Sequence, residues 1–407
     1  MPTKTYQASA FLDAAEICKY QVVVGSEQQQ ALETSTEGKT VTLDFNEPEA
    51  ACEKILIFAK HYPLDAIVPL DDDTAVLAAL ASEKLGLASN PPEAVRATRL
   101  KHVLRQRLMD AGLPVPKFQI FSTREHAQQA SAAATFPCVL KPTFLSGSRG
   151  VIRADDTREF IAAFTRIAKL LQQPGLTARG KKAAEWILVE EYLPGEEVAL
   201  EGILTNGKLK VLTIFDKPDP LEGPFFAETI YVTPSRFPQN VREDIENSVA
   251  KAAEALGLRH GPVHAEIRIN TSGAWILEIA ARSIGGLCAR ALRFQQNMAL
   301  EEVILRHAVG KRIDALQREE SASGVMMMPV PKAGTLKAVH GAEESVTVPG
   351  VLGLNLTIPV GQKLVPLPEG DRYLGFIFAK AASPEEVEQA LRKAYRRLEF
   401  EIEDDEA

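Results

Sequence analysis

The chain has 407 residues, of which 45% are hydrophobic and 25% charged, and its formal net charge is -8 at pH 7. A chain of this length and composition is typical of two or three globular domains with a sizeable core. The acidic balance argues against a nucleic-acid partner, because no overall basic excess is present to neutralise phosphates. No apolar run reaches the ~18 residues that a membrane-spanning helix needs, so no membrane partner is expected.

The cysteines and the N-terminal residues indicate the cellular compartment. Cys18, Cys52, Cys138 and Cys288 lie far apart in the sequence and form no C-x-x-C pair. In an acidic chain of this length, such spacing is typical of reduced thiols in a core. The stretch MPTKTYQASAFLDAAEICKY contains no apolar core of signal-peptide length. We therefore expect a cytoplasmic protein.

Residues 1–95 alternate strand-like and helix-like patterns, which predicts a parallel α/β domain. The predicted strands are YQVVVGS, TVTLDF and LDAIVPLDDD, and the predicted helices are PEAACEKILIFAKHY and TAVLAALASEKLGL. Ligands in such sheets bind at the carboxyl ends of the strands, where Asp71, Asp72 and Asp73 would lie. A solvated loop that caps the following helix explains these three acids equally well.

Residues 96–312 form a second predicted domain that is rich in strand patterns. A basic helix opens it, and FPCVLKPTFLSGSRGVIRA then predicts a strand, a glycine-rich loop and a strand. The helix AFTRIAKLLQQ and a polar loop PGLTARGKKAAE follow. Two hairpins are predicted, with turns at Asn206-Gly207 and Asn270–Gly273, and the helix NVREDIENSVAKAAEALGL separates them.

Residues 313–407 are expected to form a small α+β domain of short strands with Gly and Pro turns. They include the helix SPEEVEQALRKAYRRL, for which Ser383 and Glu386 form a predicted capping box. The strand EFEIE follows that helix.

The second hairpin carries the first candidate site. Alternation along a strand places His264, Glu266 and Arg268 on one face of its first strand, and Glu278 and Arg282 on one face of its second. Two carboxylates brought together repel each other unless a cation lies between them, and carboxylates with phosphate oxygens and water suit Mg²⁺. The alternative is an ion-pair network in which Arg268 and Arg282 neutralise both acids.

The segment VLKPTFLSGSRGV suggests an anion-binding loop. Lys141 lies at a strand end, and the glycines of the following loop let backbone N–H groups approach an anion closely. The loop is not a Walker A sequence, and such Gly/Ser loops are often simple turns. Upstream of the paired acids, it is typical of a flexible lid over a nucleotide triphosphate.

A further strand leads into the segment VEEYLPGEEVALEG. The backbone of this segment would offer donor and acceptor groups to the edge of an adenine; the alternative is a turn with solvated acids.

Five motifs follow one another along the chain: Lys101 in a helix, Lys141 before the glycine loop, VEEYLPGEE, Glu266, and EIAAR followed by two glycines. Their order resembles the ATP-grasp superfamily of carboxylate ligases, over about residues 95–310 and along most of the chain. The segments GPVHAE and EIAARSIGG, with the C-terminal VPLPEGDRYLGFIFAKAASPEEVEQAL, most resemble the L-amino acid ligase (dipeptide synthetase) group. The resemblance implies an ATP-grasp fold, with an N-terminal pre-ATP-grasp domain, a lid at about 138–195 and a small C-terminal domain.

The resemblance also implies roles for individual residues. The residues matched to nucleotide binding are Lys101, Lys141, Ser146, Gly147, Ser148, Arg149, Gly150, Glu190, Glu191, Leu193 and Glu197. Within this set, Glu190, Glu191 and Leu193 match the adenine hinge and Glu197 the ribose contact. Glu266 and Glu278 match the ligands of Mg²⁺, with Mn²⁺ as an alternative. Arg282 matches the arginine that steadies the acyl phosphate, and His264 is our candidate for contacting substrate, with a buried structural histidine as the alternative.

The chain departs from the family pattern in three places. Ala280 occupies a position where many members have an asparagine metal ligand, and Leu100 stands where an acid commonly precedes the first lysine. In addition, MPTKTYQ lies at or past the end of the central strand with which the first domain normally begins. We expect either that the start of the sequence is truncated or that the first domain lacks this strand.

The resemblance implies an ATP-dependent carboxylate–amine ligase that forms an amide or peptide bond through an acyl phosphate, with amino acids as substrates and a homodimeric assembly. Two alternatives stay open. One is a carboxylase that uses bicarbonate, and the other is a non-catalytic ATP-binding regulatory protein.

Overall fold

The computed structural model describes residues 1–2, 5–28 and 40–404. The helices are α1 (Ala8–Cys18), α2 (Pro48–Ala59), α3 (Asp72–Leu85), α4 (Pro92–Arg99), α5 (Lys101–Asp110), α6 (Ala127–Ala132), α7 (Thr157–Leu171), α8 (Pro174–Gly180), α9 (Gln239–Leu256), α10 (Leu300–Ala308), α11 (Ala342–Val346) and α12 (Pro384–Tyr395). None of the helices in this part of the chain is both long and apolar enough to cross a bilayer.

The strands are short in the N-terminal region and longer elsewhere. They are β1 (Val24–Ser26), β2 (Thr40–Thr42), β3 (Phe118–Ser122), β4 (Cys138–Pro142), β5 (Ile152–Ala154), β6 (Trp186–Glu191), β7 (Glu196–Thr205), β8 (Lys208–Asp216), β9 (Ile230–Thr233), β10 (Gly261–Asn270), β11 (Gly273–Ala280), β12 (Arg293–Phe294), β13 (Met298–Ala299), β14 (Ala322–Pro329), β15 (Gly334–His340), β16 (Val351–Leu356), β17 (Lys363–Leu364), β18 (Tyr373–Ala381) and β19 (Glu399–Glu403).

The N-terminal region contains the predicted parallel pairing, since β1 and β2 run parallel. The first described element is α1, and the described residues before it form no strand. The third predicted strand, LDAIVPL, is wrong, because residues 64–70 are not assigned to a strand. Their apolar side chains are used by packing instead: Leu64 and Ile67 pack against the core around α2, and Leu70 is buried in a core beneath the central sheet.

The central sheet has eight antiparallel strands in the order β11-β10-β7-β8-β9-β14-β18-β16. Helices α4, α5 and α9 contribute to the core on one of its faces, and α10 contributes to the core on the other. The β9–β14 pairing, with Ser323 opposite Thr233, joins the middle of the chain to its C-terminal part. The proposed boundary at 312–313 therefore precedes strands that extend the same sheet.

A second, four-stranded sheet in the order β3-β6-β4-β5 packs with α6, α7 and α8 around its own core. We call this unit the lid, because it contains the segment at about 138–195 that was predicted to form one. Two local predictions are corrected here. The segment PGLTARGKKAAE is not a loop but α8 followed by a 3₁₀ turn, because Leu176 and Ala184 are buried in the lid core. The basic helix is two helices, α4 and α5, because Leu100 between them is extended (φ -114, ψ 101).

The C-terminal part adds a three-stranded sheet in the order β17-β15-β19 and the helix α12. The predicted N-cap of α12 is confirmed, because the Ser383 hydroxyl accepts from the Glu386 N–H at 3.3 Å. The reciprocal half of the predicted capping box is not formed, since the Glu386 carboxylate accepts from the N–H of Ala382 at 3.1 Å and not from that of Ser383.

Candidate active site

A cavity of about 260 Å³ opens where the central sheet, the lid and the C-terminal part meet. Most of the residues singled out in the sequence line it. They are Lys101, Lys141, Ser146, Gly147, Ser148, Glu190, Glu191, Leu193, Glu197, His264, Glu266, Glu278 and Arg282. Two members of the predicted set, Arg149 and Gly150, are not among the lining residues.

The first lysine is fixed at the start of a helix. Lys101 is the first residue of α5, and its backbone N–H donates to the carbonyl of Thr143 at 2.8 Å. Its buried ammonium donates to the Leu145 carbonyl at 2.6 Å and lies 3.0 Å from Oε2 of Glu278. This position places one positive charge between the glycine loop and the second predicted metal ligand.

The second lysine belongs to a buried triad. Lys141 Nζ lies 2.5 Å from Oε2 of Glu190, and Arg105 Nε lies 2.6 Å from Oε1 of the same carboxylate. Burial raises the pKa of Glu190, but the two cations outweigh burial and hold that pKa at about 2. Burial lowers the pKa of Lys141, although Glu190 opposes this effect. The Glu190 side chain thus holds Lys141. Of the groups of Glu190, only the backbone is left to contact an adenine base.

The hairpin of β10 and β11 places Glu266 directly opposite Glu278. The register shifts immediately afterwards, because Ile267 pairs with Ile276 and leaves Leu277 as the extra residue of a bulge. The carbonyl of Leu277 accepts from Arg105 Nη2 at 2.9 Å. The bulge therefore ties the carboxylate pair to the triad around Glu190.

The arginines of the hairpin do not pair with these two carboxylates, so the ion-pair alternative is wrong in its choice of Arg268 and Arg282 as the partners. Arg268 pairs with Glu197 at 2.7 Å, and Arg282 pairs with Asp72 at 2.9 Å. Lysines pair with the hairpin acids instead: Lys101 with Glu278, and Lys217 with Glu266 at 3.6 Å.

Lys217 lies within a cluster of three carboxylates. Glu197, Glu228 and Glu266 each offer an oxygen, and these oxygens lie within 4.8 Å of one another. Lys217 also contacts Glu197 at 2.7 Å and Glu228 at a short distance. Burial, opposed by Lys217, raises the pKa of Glu228 to about 7, and the neighbouring Glu266 adds to that rise. Arg268 also pairs with Glu197, and His264 lies beside Glu266, so Lys217 is not the only cation at the cluster. The carboxylate oxygens are of the kind that a divalent cation such as Mg²⁺ binds.

His264 is held between two acids. Its Nδ1 lies 2.5 Å from Oε1 of Glu201, and its Nε2 lies 3.8 Å from Oε1 of Glu266. Burial alone would lower its pKa, but Glu201 raises it to about 9. The imidazole is therefore a cation at neutral pH beside a candidate metal ligand.

The apolar end of the cavity near the hinge forms a slot. Val139, Val151, Tyr192 and Phe226 pack together there and line the cavity with Leu193. Apolar and aromatic side chains of this kind can pack on the faces of a flat base, and the residues predicted as the adenine hinge, Glu190, Glu191 and Leu193, line the same cavity. The slot, the two lysines and the glycine loop together fit a nucleoside triphosphate.

The glycine loop divides into two parts. Ser146, Gly147 and Ser148 line the cavity, and Gly147 and Ser148 have positive φ (64° and 55°). Arg149 and Gly150 do not line it and bond instead to residues 368–371 of the C-terminal part.

The sequence analysis missed several residues that line the cavity or contact its lining residues. Arg105 had a signal, because it lies one helical turn from Lys101 and therefore shares its face. Lys217 and Glu228 lie at either end of a stretch without periodicity, and Glu201 and Tyr373 lie within ordinary strand patterns. The sequence analysis considered Asp72 only as part of an acidic strand end or of a helix cap.

Comparisons with known families cover three parts of the chain. The profile of an ATP-grasp N-terminal domain matches residues 12–89, that of an ATP-grasp domain matches 134–291, and that of L-amino acid ligase C-terminal domain 2 matches 326–403. These matches confirm the fold class that the motif order implied.

Individual relatives agree with these profiles. The crystal structure of L-amino acid ligase from Bacillus licheniformis superposes with a TM-score of 0.82 at 25% identity, covering 97% of this chain and 96% of that one. Alanine–anticapsin ligase of Bacillus subtilis (strain 168) is 30% identical over 256 residues, which are 60% of this chain and 53% of the relative. Dapdiamide A synthase of Enterobacter agglomerans is 25% identical, over 74% of this chain and 72% of the relative. The chain thus spans about half the length of the Bacillus subtilis relative.

Proposed function

Because the chain belongs to the ATP-grasp superfamily and carries an L-amino acid ligase C-terminal domain, we propose that it is an ATP-dependent ligase that joins the carboxylate of one amino acid to the amine of another. The observation that carries the proposal is the pairing of Glu266 with Glu278 on the wall of a cavity that also holds Lys101, Lys141 and Arg282. The names of the relatives supply the substrate class.

In the proposed reaction, the adenine occupies the slot at Tyr192 and the phosphates lie between the two lysines and the loop at 146–148. A substrate carboxylate attacks the γ-phosphorus, and ADP leaves. Such a transfer needs positioning and charge neutralisation more than covalent help from the protein, and Lys101 and Lys141 are placed for both.

The second step is attack of the amine on the acyl phosphate, with loss of phosphate. Arg282 is buried and positively charged, so it would stabilise the oxyanion of the tetrahedral adduct. His264 would face the acyl group as a cation, and closure of the lid would keep water from the acyl phosphate.

The metal that we propose is Mg²⁺, with Mn²⁺ as an alternative, and its ligands would be Glu266 and Glu278 with Glu228 or Glu197 nearby. When bound, the ion would neutralise charge on the phosphate oxygens. Without it the carboxylates repel one another, and Glu266 adds to the rise that burial gives the pKa of Glu228.

We also propose a cytoplasmic location and a homodimeric assembly. All four cysteines are free thiols, which supports a cytoplasmic location because such compartments keep thiols reduced. A homodimer is proposed from the family resemblance and is tested by light scattering coupled to size-exclusion chromatography.

The experiment is a phosphate-release screen over pairs of amino acids and small carboxylates, with mass detection of the products. We expect phosphate release that requires both partners and an amide product whose mass is their sum less one water. Phosphate release that depends on bicarbonate would support the carboxylase instead. ATP binding without substrate-stimulated release would indicate a non-catalytic protein.

A further inference from the structure

A short segment of the C-terminal part, residues 366–371, contacts the glycine loop of the lid; we name it the hook. The N–H of Gly150 donates to the Pro368 carbonyl at 2.8 Å, and Arg149 Nε donates to the Glu369 carbonyl at 2.8 Å. Arg149 Nη1 also lies 3.2 Å from Oδ2 of Asp371. The hook therefore holds the second half of the loop by both backbone and side chain.

The hook is also bound by a helix of the lid. Arg166 of α7 meets the Glu369 carboxylate with two parallel bonds, from Nε at 2.5 Å and from Nη2 at 2.8 Å. A bidentate arginine–carboxylate pair fixes direction as well as distance. The guanidinium of Arg166 in addition lies over the ring of Phe225, 5.2 Å from its centroid.

The hook itself is a tight turn. The N–H of Gly370 donates to the Pro366 carbonyl at 2.9 Å, and a Cβ at position 370 would lie 1.9 Å from the carbonyl oxygen of Val365. Only glycine fits there without displacing the backbone. The end of the hook, Asp371, lines the main cavity together with Tyr373. One segment therefore contacts both the lid loop and the reaction cavity.

Other contacts of the lid fix different parts of it. Arg179 of α8 pairs with Asp73, and Lys181 pairs with Glu47. Arg153 of β5 donates from its N–H to the carbonyl of Pro224 at 2.9 Å. The hook differs from these contacts because it reaches the loop at 146–150 itself.

We propose that the hook docks the phosphate-facing loop over the bound nucleotide, with Arg149, Arg166 and Glu369 as positioning residues that couple lid closure to the C-terminal domain. The inference rests on the proposed function, since it takes nucleotide phosphates to lie under Ser146–Ser148. Ordering a glycine-rich loop costs conformational entropy, and a loop already held on its far side loses less when the nucleotide binds. A docked loop would also exclude water during the life of the acyl phosphate.

The test compares Glu369→Ala with Glu403→Ala. Glu369→Ala removes both bonds from Arg166, whereas Glu403 pairs with Lys337 at 2.5 Å in the same part of the chain, on β19. The probe is the non-hydrolysable analogue AMP-PNP with Mg²⁺, and its affinity for the full chain is measured by calorimetry. We expect the dissociation constant to rise about three- to tenfold in Glu369→Ala and to stay unchanged in Glu403→Ala.

A second measurement separates docking from simple loss of folded protein. With the substrate pair identified in the screen, phosphate released per product formed should rise in Glu369→Ala, because an undocked loop admits water. Partial unfolding would lower both quantities together and leave their ratio constant. If Glu369→Ala does not fold, Arg166→Gln, which removes the same pair from the other side, decides the question.

Equal nucleotide affinity in Glu369→Ala and the parent chain would overturn the proposal. Tighter affinity would overturn it in another way, because it would mean that Arg149 must leave the hook to reach the phosphates. The affinity measurement does not require ligase activity, so a failure of the proposed reaction in the screen is seen separately.

Discussion

Arg282 donates from Nη2 to Oδ2 of Asp72 at 2.9 Å, across 210 positions of sequence. Asp72 is the first residue of α3, and Asp71 caps that helix by accepting from the Thr74 N–H at 3.2 Å. Both members of the pair are almost completely buried, so little solvent screens them. An acid of the N-terminal region therefore orients the arginine that we assign to the reacting acyl group.

Asp72→Asn should lower the rate of product formation by about 10- to 100-fold, because a misoriented catalytic group loses its alignment with the reacting atoms. The affinity for Mg-ATP should stay the same, since Asp72 does not line the cavity. Steady-state product formation and calorimetry measure the two quantities. The control is Asp73→Asn, whose carboxylate pairs with Arg99 and Arg179 and not with Arg282; Arg99 also lies 3.7 Å from Asp72, so the control accounts for the loss of that shared contact. An equal loss in both variants would contradict the positioning role.

Arg282→Ala should keep ATP binding and lose product formation by about 10²–10³-fold, the usual cost of removing one donor to a developing oxyanion. Quenched-flow measurement of product, with nucleotide affinity measured in parallel, checks this expectation. An unchanged rate with the true substrates would show that the arginine has another role.

Glu278→Gln should abolish Mg-dependent ATP consumption. The change removes a carboxylate that faces Glu266 and leaves Lys101 without its ion-pair partner. Release of phosphate at varied Mg²⁺ concentration is the measurement, and Glu254→Gln, an exposed residue of α9, is the control. Normal turnover together with undiminished Mg-ATP binding would refute the metal assignment.

The predicted hairpin could be found in the sequence because its short turn at Asn270–Gly273 and its strand alternation are local signals. The direct pairing of its two carboxylates needs more than alternation, because the simple register would place Leu277 opposite Glu266, and the bulge brings Glu278 there instead. The bulge at Leu277 was not predictable in this way, since a shift of register after Glu266 depends on what the freed carbonyl contacts. That contact, Arg105, comes from a distant helix.

Other parts of the site depend on packing between regions that no periodic pattern connects. Asp72 reaches Arg282 only because the N-terminal region packs on the central sheet. Lys217 and Glu228 are brought to Glu266 by a connection between β8 and β9 that has neither helical nor strand periodicity. Arg149 was assigned to the phosphates because its loop resembled a lid, and the sequence held no sign that the hook would contact it.

Glu190 should make the free energy of unfolding depend on acid pH. Its pKa of about 2 in the folded chain lies below the ordinary value of 4.5, so the unfolded chain binds the proton more tightly. The stabilisation is therefore complete above pH 4.5 and is lost as the pH falls toward 2. Urea denaturation between pH 7 and 3 should show this loss, and the loss should be smaller in Glu190→Gln.

The same variant should lower the free energy of unfolding at pH 7 by about 3–5 kcal/mol, because it leaves Arg105 buried beside an uncharged partner. Glu185→Gln is the control in the same lid. Its carboxylate lies 3.6 Å from Arg124 in an exposed pair, which is worth about 0–1 kcal/mol. Similar losses in the two variants would contradict the buried triad.

His264 should titrate with a pKa of about 9 instead of the ordinary 6.5. Because the folded pKa is the higher one, its contribution to stability is complete below pH 6.5 and is lost as the pH rises through 9. Proton NMR of the imidazole follows the titration directly. In Glu201→Gln the pKa should fall, since Glu201 supplies the main attraction; an imidazole that titrates near 6.5 in the parent chain would exclude the charged form.

The pairing of β9 with β14 limits how this architecture can be recombined. Residues 313–404 supply three of the eight strands of the central sheet, so they are not a separable unit. A graft that replaced them would have to reproduce the alignment of Ser323 with Thr233, or else expose the edge of β9 to other chains. In this protein, a crossover point within α10 or the loop after it would divide the central sheet. New combinations of substrates are therefore expected to evolve by substitution of residues around the cavity.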